Sequence, residues 1–357
     1  MSRVRQVGTV GDAPIRIAAL LGFDRLVGTL GGDPRPLLES AGIPSSAFRS
    51  PDNRISYGAM IELLEKAAAE LDCPDFGLRL SAYQDINILG PAAMIALYSD
   101  TVGDCLGAIS NFFFVHTRGA SVRLVRSEGG QSRLCFEVLI ARLHAKRQIN
   151  ELSLGIGQRL LEMLISPAFR SARVEFTHSR PDDPRPLQRR LGRNLEFDHP
   201  VNAFSVPNEA LGRPVPTANR EFRQVAVDYV REHLGDAEEN RVRRVVVLAH
   251  HLLPTGRCSL ATIAEVLGIH PRSLQRELRA EGQDFRGILD QVRRELVVDY
   301  LGDTRASLGQ IAAMLGYRDQ AAFNNAFQRW YGSSPGRWRA SRRQTGRAGM
   351  TNAGTDV

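Results

Sequence analysis

The chain has 357 residues, 43% of them hydrophobic, and a net charge of +7, which is enough length for two or three domains and enough apolar material for packed cores. No apolar run approaches the roughly 18 residues of a membrane span, and the opening MSRVRQVGTVGDAP lacks the apolar centre of a secretory signal, so neither membrane insertion nor export is expected and the chain is placed in the cytoplasm. Four cysteines, Cys73, Cys105, Cys135 and Cys258, lie far apart without a CxxC pair, which argues against a zinc site or a disulfide framework and leaves four reduced thiols.

In chain order, Ser56–Leu71 places Met60, Leu63, Leu64 and Ala67 on one face and reads as an amphipathic helix. LGPAAMIALY, opened by Gly90-Pro91, and TVGDCLGAISNFFFVHT read as two more. The pattern then changes. Val122 and Leu124, then Leu134, Phe136 and Val138, alternate on either side of Glu128–Gly130, which predicts a β-hairpin. A helix is expected over about 146–164, a strand over Ser171–Ser179, and strand pieces around a turn over Asn194–Pro207. A further helix over about 219–233 leads into the polar GDAEEN, Gly235–Asn240, the best domain boundary. The expected organisation is a mixed α/β (α+β) domain over 1–234, a linker over 235–240 and an all-α domain over 241–340. The Gly-rich tail 341–357 is expected to be disordered.

Charge is unevenly shared. Residues 240–347 hold 18 Arg and no Lys against 9 acidic residues, a net of +9, which leaves −2 for the rest of a chain whose total is +7. A basic block inside a folded region points to a polyanion, most often nucleic acid. The same region contains one pattern twice. Leu260, Ile263, Ala264, Leu267 and Gly268 recur 48 residues later as Leu308, Ile311, Ala312, Leu315 and Gly316. After one extra residue in the second copy, Leu274 and Leu278 correspond to Phe323 and Phe327. Ser259 and Ser307 stand at N-cap positions, and Ser307 with Gln310 fits a capping box. A short helix, a glycine turn and a second helix make a helix-turn-helix; the small Ala264 and Ala312 let the two helices approach. A single copy also fits an ordinary helical hairpin, but two copies in register within a basic segment favour DNA readers.

The second helix of each unit then offers a polar face: Arg272, Gln275, Arg276 and Arg279 in the first, Gln320, Asn324 and Asn325 in the second. Arg suits guanine edges, and Asn and Gln suit adenine edges. Between the units, Phe285–Leu301 reads as one amphipathic strut, long enough at 1.5 Å per residue to hold two readers roughly one DNA turn, about 34 Å, apart.

The C-terminal run AAFNNAFQRWYGSSPGRWR, with Gly316-Tyr317, Phe323, Phe327, Tyr331-Gly332 and Ser334-Pro335, resembles the AraC/XylS family of transcription regulators over about residues 240–339. The segments AAAELDCPDFGLRL, NILGPAAMIALYSD and ALGRPV are similar to the sensor domain of the ornithine-regulator and VirS-type subgroup. That sensor is not the β-barrel of the sugar-binding members. The resemblance implies a transcriptional activator with double-stranded operator DNA, RNA polymerase and a second copy of the chain as partners, located at the nucleoid. It also implies a small-molecule effector sensed by the N-terminal domain, without naming it. The family's base-contacting positions fall on Arg272, Gln275, Arg276, Gln320, Ala321, Asn324 and Asn325. Ala321 departs from the usual polar residue and offers at most contact with a thymine methyl.

Helix and hairpin meet in sequence at Phe112, Phe113, His116 and Phe136, where an apolar effector pocket is expected. The run Phe112–Phe114 also reads as plain core. His116, His144, His178 and His199 have no metal-ligand spacing, Glu175 and Asp198 have no partner as acid and base, and no nucleotide-binding or hydrolase motif occurs, so no cofactor, metal or enzyme activity is expected. The alternatives are a DNA-binding regulator without an effector and a DNA-repair enzyme fused to the same module. An alkyl-transfer enzyme needs a Pro-Cys-His-like context, whereas Cys73 precedes Pro74 with no histidine beside it.

Overall fold

The computed structural model describes residues 13–140, 143, 145–233, 241–253, 258–267, 269–303 and 307–340. They fall into two compact units, Met1–His233 and Leu234–Val357. The stretch read as a linker lies outside the described residues, as do His144 and the tail read as disordered.

The first unit begins with β1 (Pro14–Arg16), paired antiparallel to β2 (Arg54–Ser56). Between them run α1 (Phe23–Thr29) and α2 (Pro34–Ser40). Helix α3 (Tyr57–Glu70) starts where Ser56 Oγ accepts from the Ala59 amide at 3.2 Å, and Met60, Leu63, Leu64 and Ala67 are buried on its inner face, as the periodicity requires. Then come α4 (Phe76–Leu80), α5 (Pro91–Leu97), which Gly90-Pro91 opens, and α6 (Val102–Phe112), capped by Thr101.

The alternating segments pair as expected: β3 (Ala120–Val125) with β4 (Gln131–Val138), antiparallel, Val122 opposite Phe136 and Leu124 opposite Leu134. Helix α7 (Arg147–Leu164) follows, then β5 (Val174–Glu175), α8 (Arg185–Leu191), β6 (Leu195–Glu196), β7 (Asn202–Pro207), α9 (Asn208–Leu211) and α10 (Arg220–His233). The sheet runs β3-β4-β7-β5-β6, antiparallel throughout except for β5 beside β6. It is an open mixed sheet, not a closed barrel. The strand expected over Ser171–Ser179 shrinks to two residues. Past Glu175, the Thr177 amide donates to Asn202 Oδ1 at 3.0 Å, and a side chain replaces the ladder partner.

Helix α7 crosses the middle of this unit at close range. A Cβ at Gly77 of α4 would lie 1.9 Å from the Gln148 carbonyl oxygen of α7, and Gln148 Oε1 accepts from the Gly77 amide at 2.8 Å. Only glycine permits that approach. Further along, a Cβ at Gly157 would stand 2.9 Å from the Phe204 ring on β7.

The second unit is helical: α11 (Arg241–Leu252), α12 (Leu260–Leu267), α13 (Pro271–Ala280), α14 (Phe285–Asp303), α15 (Leu308–Met314) and α16 (Gln320–Tyr331), with residues 335–340 helical as well. Ile288, Val292, Leu296 and Val297 bury one stripe of α14, and Val245, Leu248 and Ala249 bury that of α11.

Gly77→Ala should destabilise the first unit by about 3 kcal/mol or more, because the obstacle is backbone and not a movable side chain. Gly28→Ala, in α1 with nothing within 4 Å of the added methyl, should instead raise stability by up to about 1 kcal/mol. Urea denaturation of the two variants measures both effects; equal effects would refute the close crossing.

Candidate nucleic-acid interface and cavity

The two short-helix pairs of the second unit are built by one device used twice. Each first helix is capped by serine. Ser259 Oγ accepts from the Thr262 amide at 3.0 Å. Ser307 Oγ accepts from the Gln310 amide at 3.2 Å while Gln310 Oε1 accepts from the Ser307 amide at 2.7 Å, a complete capping box. Each first helix also ends the same way, with the amide of Ile269 or Tyr317 donating to the carbonyl of Ala264 or Ala312, at 3.0 and 2.9 Å. Gly316 has φ of +67°, the left-handed conformation that ends a helix without steric cost. Gly268 lies outside the described residues. The second helices restart on His270, whose Nδ1 accepts from the Arg272 amide at 3.2 Å, and on Asp319, which accepts from the Ala322 amide at 2.7 Å. That bond and the Arg318 side chain hold the Asp319 carboxyl below its usual range.

Packing then fixes which side chains face out. Leu274 and Leu278 of α13, and Phe323 and Phe327 of α16, are fully buried or nearly so. On the opposite face of α13, Arg272, Gln275, Arg276 and Arg279 are exposed. On α16, Gln320, Ala321 and Asn325 are exposed, and Asn324 is half-buried with its Oδ1 buried and unpartnered. The α13 face is cationic; that of α16 carries amides and a methyl. His250 Nε2 meets Glu295 of α14 at 2.7 Å.

Sequence reasoning missed the residue that sets the second turn. Arg293 of α14 donates from Nε to the Leu315 carbonyl at 2.9 Å and from its guanidinium to the Gly316 carbonyl at 3.3 Å, both orphaned by the end of α15. Its guanidinium lies over the Tyr317 ring, 4.4 Å from the centroid. Asp290, one turn earlier, meets Arg293 at 3.3 Å and Arg329 of α16 at 3.2 Å. Arg293→Ala should lower the stability of this unit by about 2–3 kcal/mol, since it leaves charged and carbonyl partners unsatisfied. The exposed Arg276→Ala should change it by about 0.5 kcal/mol or less. The chain's 2 tryptophans, Trp330 and Trp338, both lie in this unit, so their fluorescence during urea unfolding reads it selectively.

The first unit contains a partly open cavity between helix α7 and the sheet. Val122, Leu134, Phe136 and Phe204 form the sheet wall, and Ile149, Leu152, Ile156 and Leu160 of α7 face them. Ile86, Ile88 and Leu89, Tyr57 and Met60, and Phe113 with His116 close the rest. Three of the four residues expected from sequence, Phe113, His116 and Phe136, therefore line one cavity. Phe112 does not line the cavity; as the last residue of α6 it is buried beside Phe114, ring centroids 6.4 Å apart. Gln84 also lines the cavity; nothing in its local sequence marks it, since the chain reaches the cavity there only through the tertiary fold.

His116 is buried and its Nδ1 has no partner. Burial, with Arg16 and Arg54 nearby, pushes its pKa down to about 3, so it is neutral. In the unfolded chain it takes up a proton below about pH 6.5, so its burial opposes folding increasingly as pH falls from 6.5 towards 3. His116→Gln should make the first unit about 2 kcal/mol less sensitive to acidification from pH 7 to pH 5, measured as the difference in unfolding free energy at the two pH values.

Elsewhere in this unit His178 Nε2 stands 3.7 Å from Glu151, and His199 pairs with Glu196 at 2.9 Å. Glu175 is held by Arg133 and Arg173, and Asp198 by Ser179. Among the described residues no three His, Cys, Asp or Glu side chains are grouped to hold a metal. Burial pushes the Cys73 thiol up to about 11, away from a reactive thiolate.

Residues 31–215 match the arabinose-binding domain of AraC transcription regulators, N-terminal, and residues 263–341 match a helix-turn-helix domain. The chain is 35% identical over 327 residues to the HTH-type transcriptional regulator VirS of Mycobacterium tuberculosis, covering 91% of this chain and 96% of that protein. It is 26% identical to the ornithine utilization regulator of Pseudomonas aeruginosa, covering 88% and 93%. Among solved structures, the transcriptional regulator CdpR from Pseudomonas aeruginosa aligns with a TM-score of 0.45 at 21% identity, covering 86% of this chain and 96% of that one.

Proposed function

The chain belongs to the AraC family of transcriptional regulators, and on that premise we propose that it is an activator whose hold on operator DNA is set by a small-molecule effector in the cavity of its first unit. The observation that carries the DNA half is the pair of outward faces, α13 and α16, that one repeated device exposes. Arg272, Gln275, Arg276 and Arg279 supply phosphate and guanine contacts; Gln320, Asn324 and Asn325 supply adenine contacts, with Ala321 against a thymine methyl. The effector half is supported by the cavity, which a regulator without an effector has no use for. A second copy of the chain is the natural partner for the exposed Phe222, Val225 and Tyr229 of α10, 56%, 63% and 48% exposed at helical spacing on one face. RNA polymerase is the partner an activator requires, and the nucleoid is where both operate.

The operator is found by selection from random duplexes and mapped by footprinting. Arg276→Ala and Asn324→Ala should each weaken the selected site by about 1–3 kcal/mol. A fragment beginning near Ala237 should bind DNA with an affinity that falls steeply with salt, because phosphate contacts release counterions. Unchanged footprints in both variants would show that other residues read the bases, and salt-independent binding would remove the electrostatic reading.

A further inference from the structure

The cavity wall states what kind of molecule it can hold, and the inference rests on the effector reading just given. None of the residues lining it is Asp, Glu, Lys or Arg. Its one titratable imidazole, His116, is held neutral by its surroundings. A carboxylate or ammonium brought inside would lose its hydration with no counter-ion to meet it, which is the costliest burial available. A free sugar fares little better, because each hydroxyl needs a partner and the wall is mostly Ile, Leu, Val, Met and Phe.

Two polar residues of the wall show what is wanted there. Gln84 spends its Nε2 hydrogens on the Ala19 and Leu21 carbonyls, at 2.9 and 3.0 Å, and its buried Oε1 has no partner. Of His116, Nδ1 is buried and has no partner either. Gln84 Oε1 can only accept, and a neutral imidazole with its proton on Nε2 accepts at Nδ1, so one donor class satisfies both. We infer that the effector is an uncharged molecule with a hydrocarbon body and a hydroxyl or N–H donor, seated between α7 and the β3-β4-β7 face with that donor toward Gln84 and His116.

Two fluorophores on one skeleton test this with the full chain. N-phenyl-1-naphthylamine is neutral, apolar and carries one N–H; 1-anilinonaphthalene-8-sulfonate adds a sulfonate. The amine should bind saturably at one site per chain, and the sulfonate about tenfold or more weakly, as an unpaired buried charge requires. Ile156→Trp and Val122→Trp fill the cavity from half-buried positions and should each abolish amine binding, with thermal unfolding confirming that the variants are folded. If both probes bind equally well and both are excluded by the Trp substitutions, the neutral class is wrong while the effector cavity stands. If neither probe binds, or if folded Trp variants bind as the parent does, the cavity itself is not a ligand site and the effector reading falls with it.

Discussion

A helix of two turns cannot satisfy its own last carbonyls, and the second DNA-reading unit depends on how that deficit is met. Arg293 reaches from the middle of α14 to the Leu315 and Gly316 carbonyls and lies over the Tyr317 ring. Asp290 fixes Arg293 from the same helix and Arg329 of α16 from the other side. A single guanidinium thus joins the long strut to the end of the first short helix and to the turn that follows it. With the turn pinned, the burial of Phe323 and Phe327 leaves α16 one orientation, and the amide face points outward as a consequence.

The first unit follows a related logic of close approach. Gly77 allows the α4 backbone to touch that of α7, and Gly157 lets α7 lie against Phe204. Between α7 and the sheet a gap remains, faced by Ile149, Leu152, Ile156 and Leu160 on one side and Val122, Leu134, Phe136 and Phe204 on the other. The charges that might have entered the gap are kept outside it. Arg16 is spent on Asp52 and the Ile88 carbonyl, and Arg54 on the Val115 and His116 carbonyls. Both guanidiniums stand behind the cavity wall and help keep His116 uncharged.

How much of this was legible depended on how far along the chain each feature is written. The paired helices were visible because one pattern of leucine, alanine and glycine occurs twice at a fixed offset, and the Ser307–Gln310 box is contained in four residues. The hairpin was visible because its alternation runs through paired strands of six and eight residues. By contrast β1, β2, β5 and β6 have two or three residues each, too few to show a period. The cavity wall draws on positions from Ile15 to Phe204, so only its local part, Phe113 and His116 beside Phe136, could be seen beforehand. Phe112 lies outside the cavity that Phe113 lines because successive helical residues face about 100° apart, and Arg293 was missed because its partners are backbone atoms 22 and 23 positions away.

The unequal chemistry of the two outward faces has a kinetic consequence. If the two faces read DNA as proposed, long-range attraction falls on α13, with three exposed arginines, whereas the proposed contacts of α16 are uncharged and gain nothing until its amides meet matching base edges. During one-dimensional diffusion along a duplex, the first unit can stay associated with the backbone while the second makes and breaks short-lived trials of register. Dwell time away from the operator is then governed by one helix, and the decision to stop by the other.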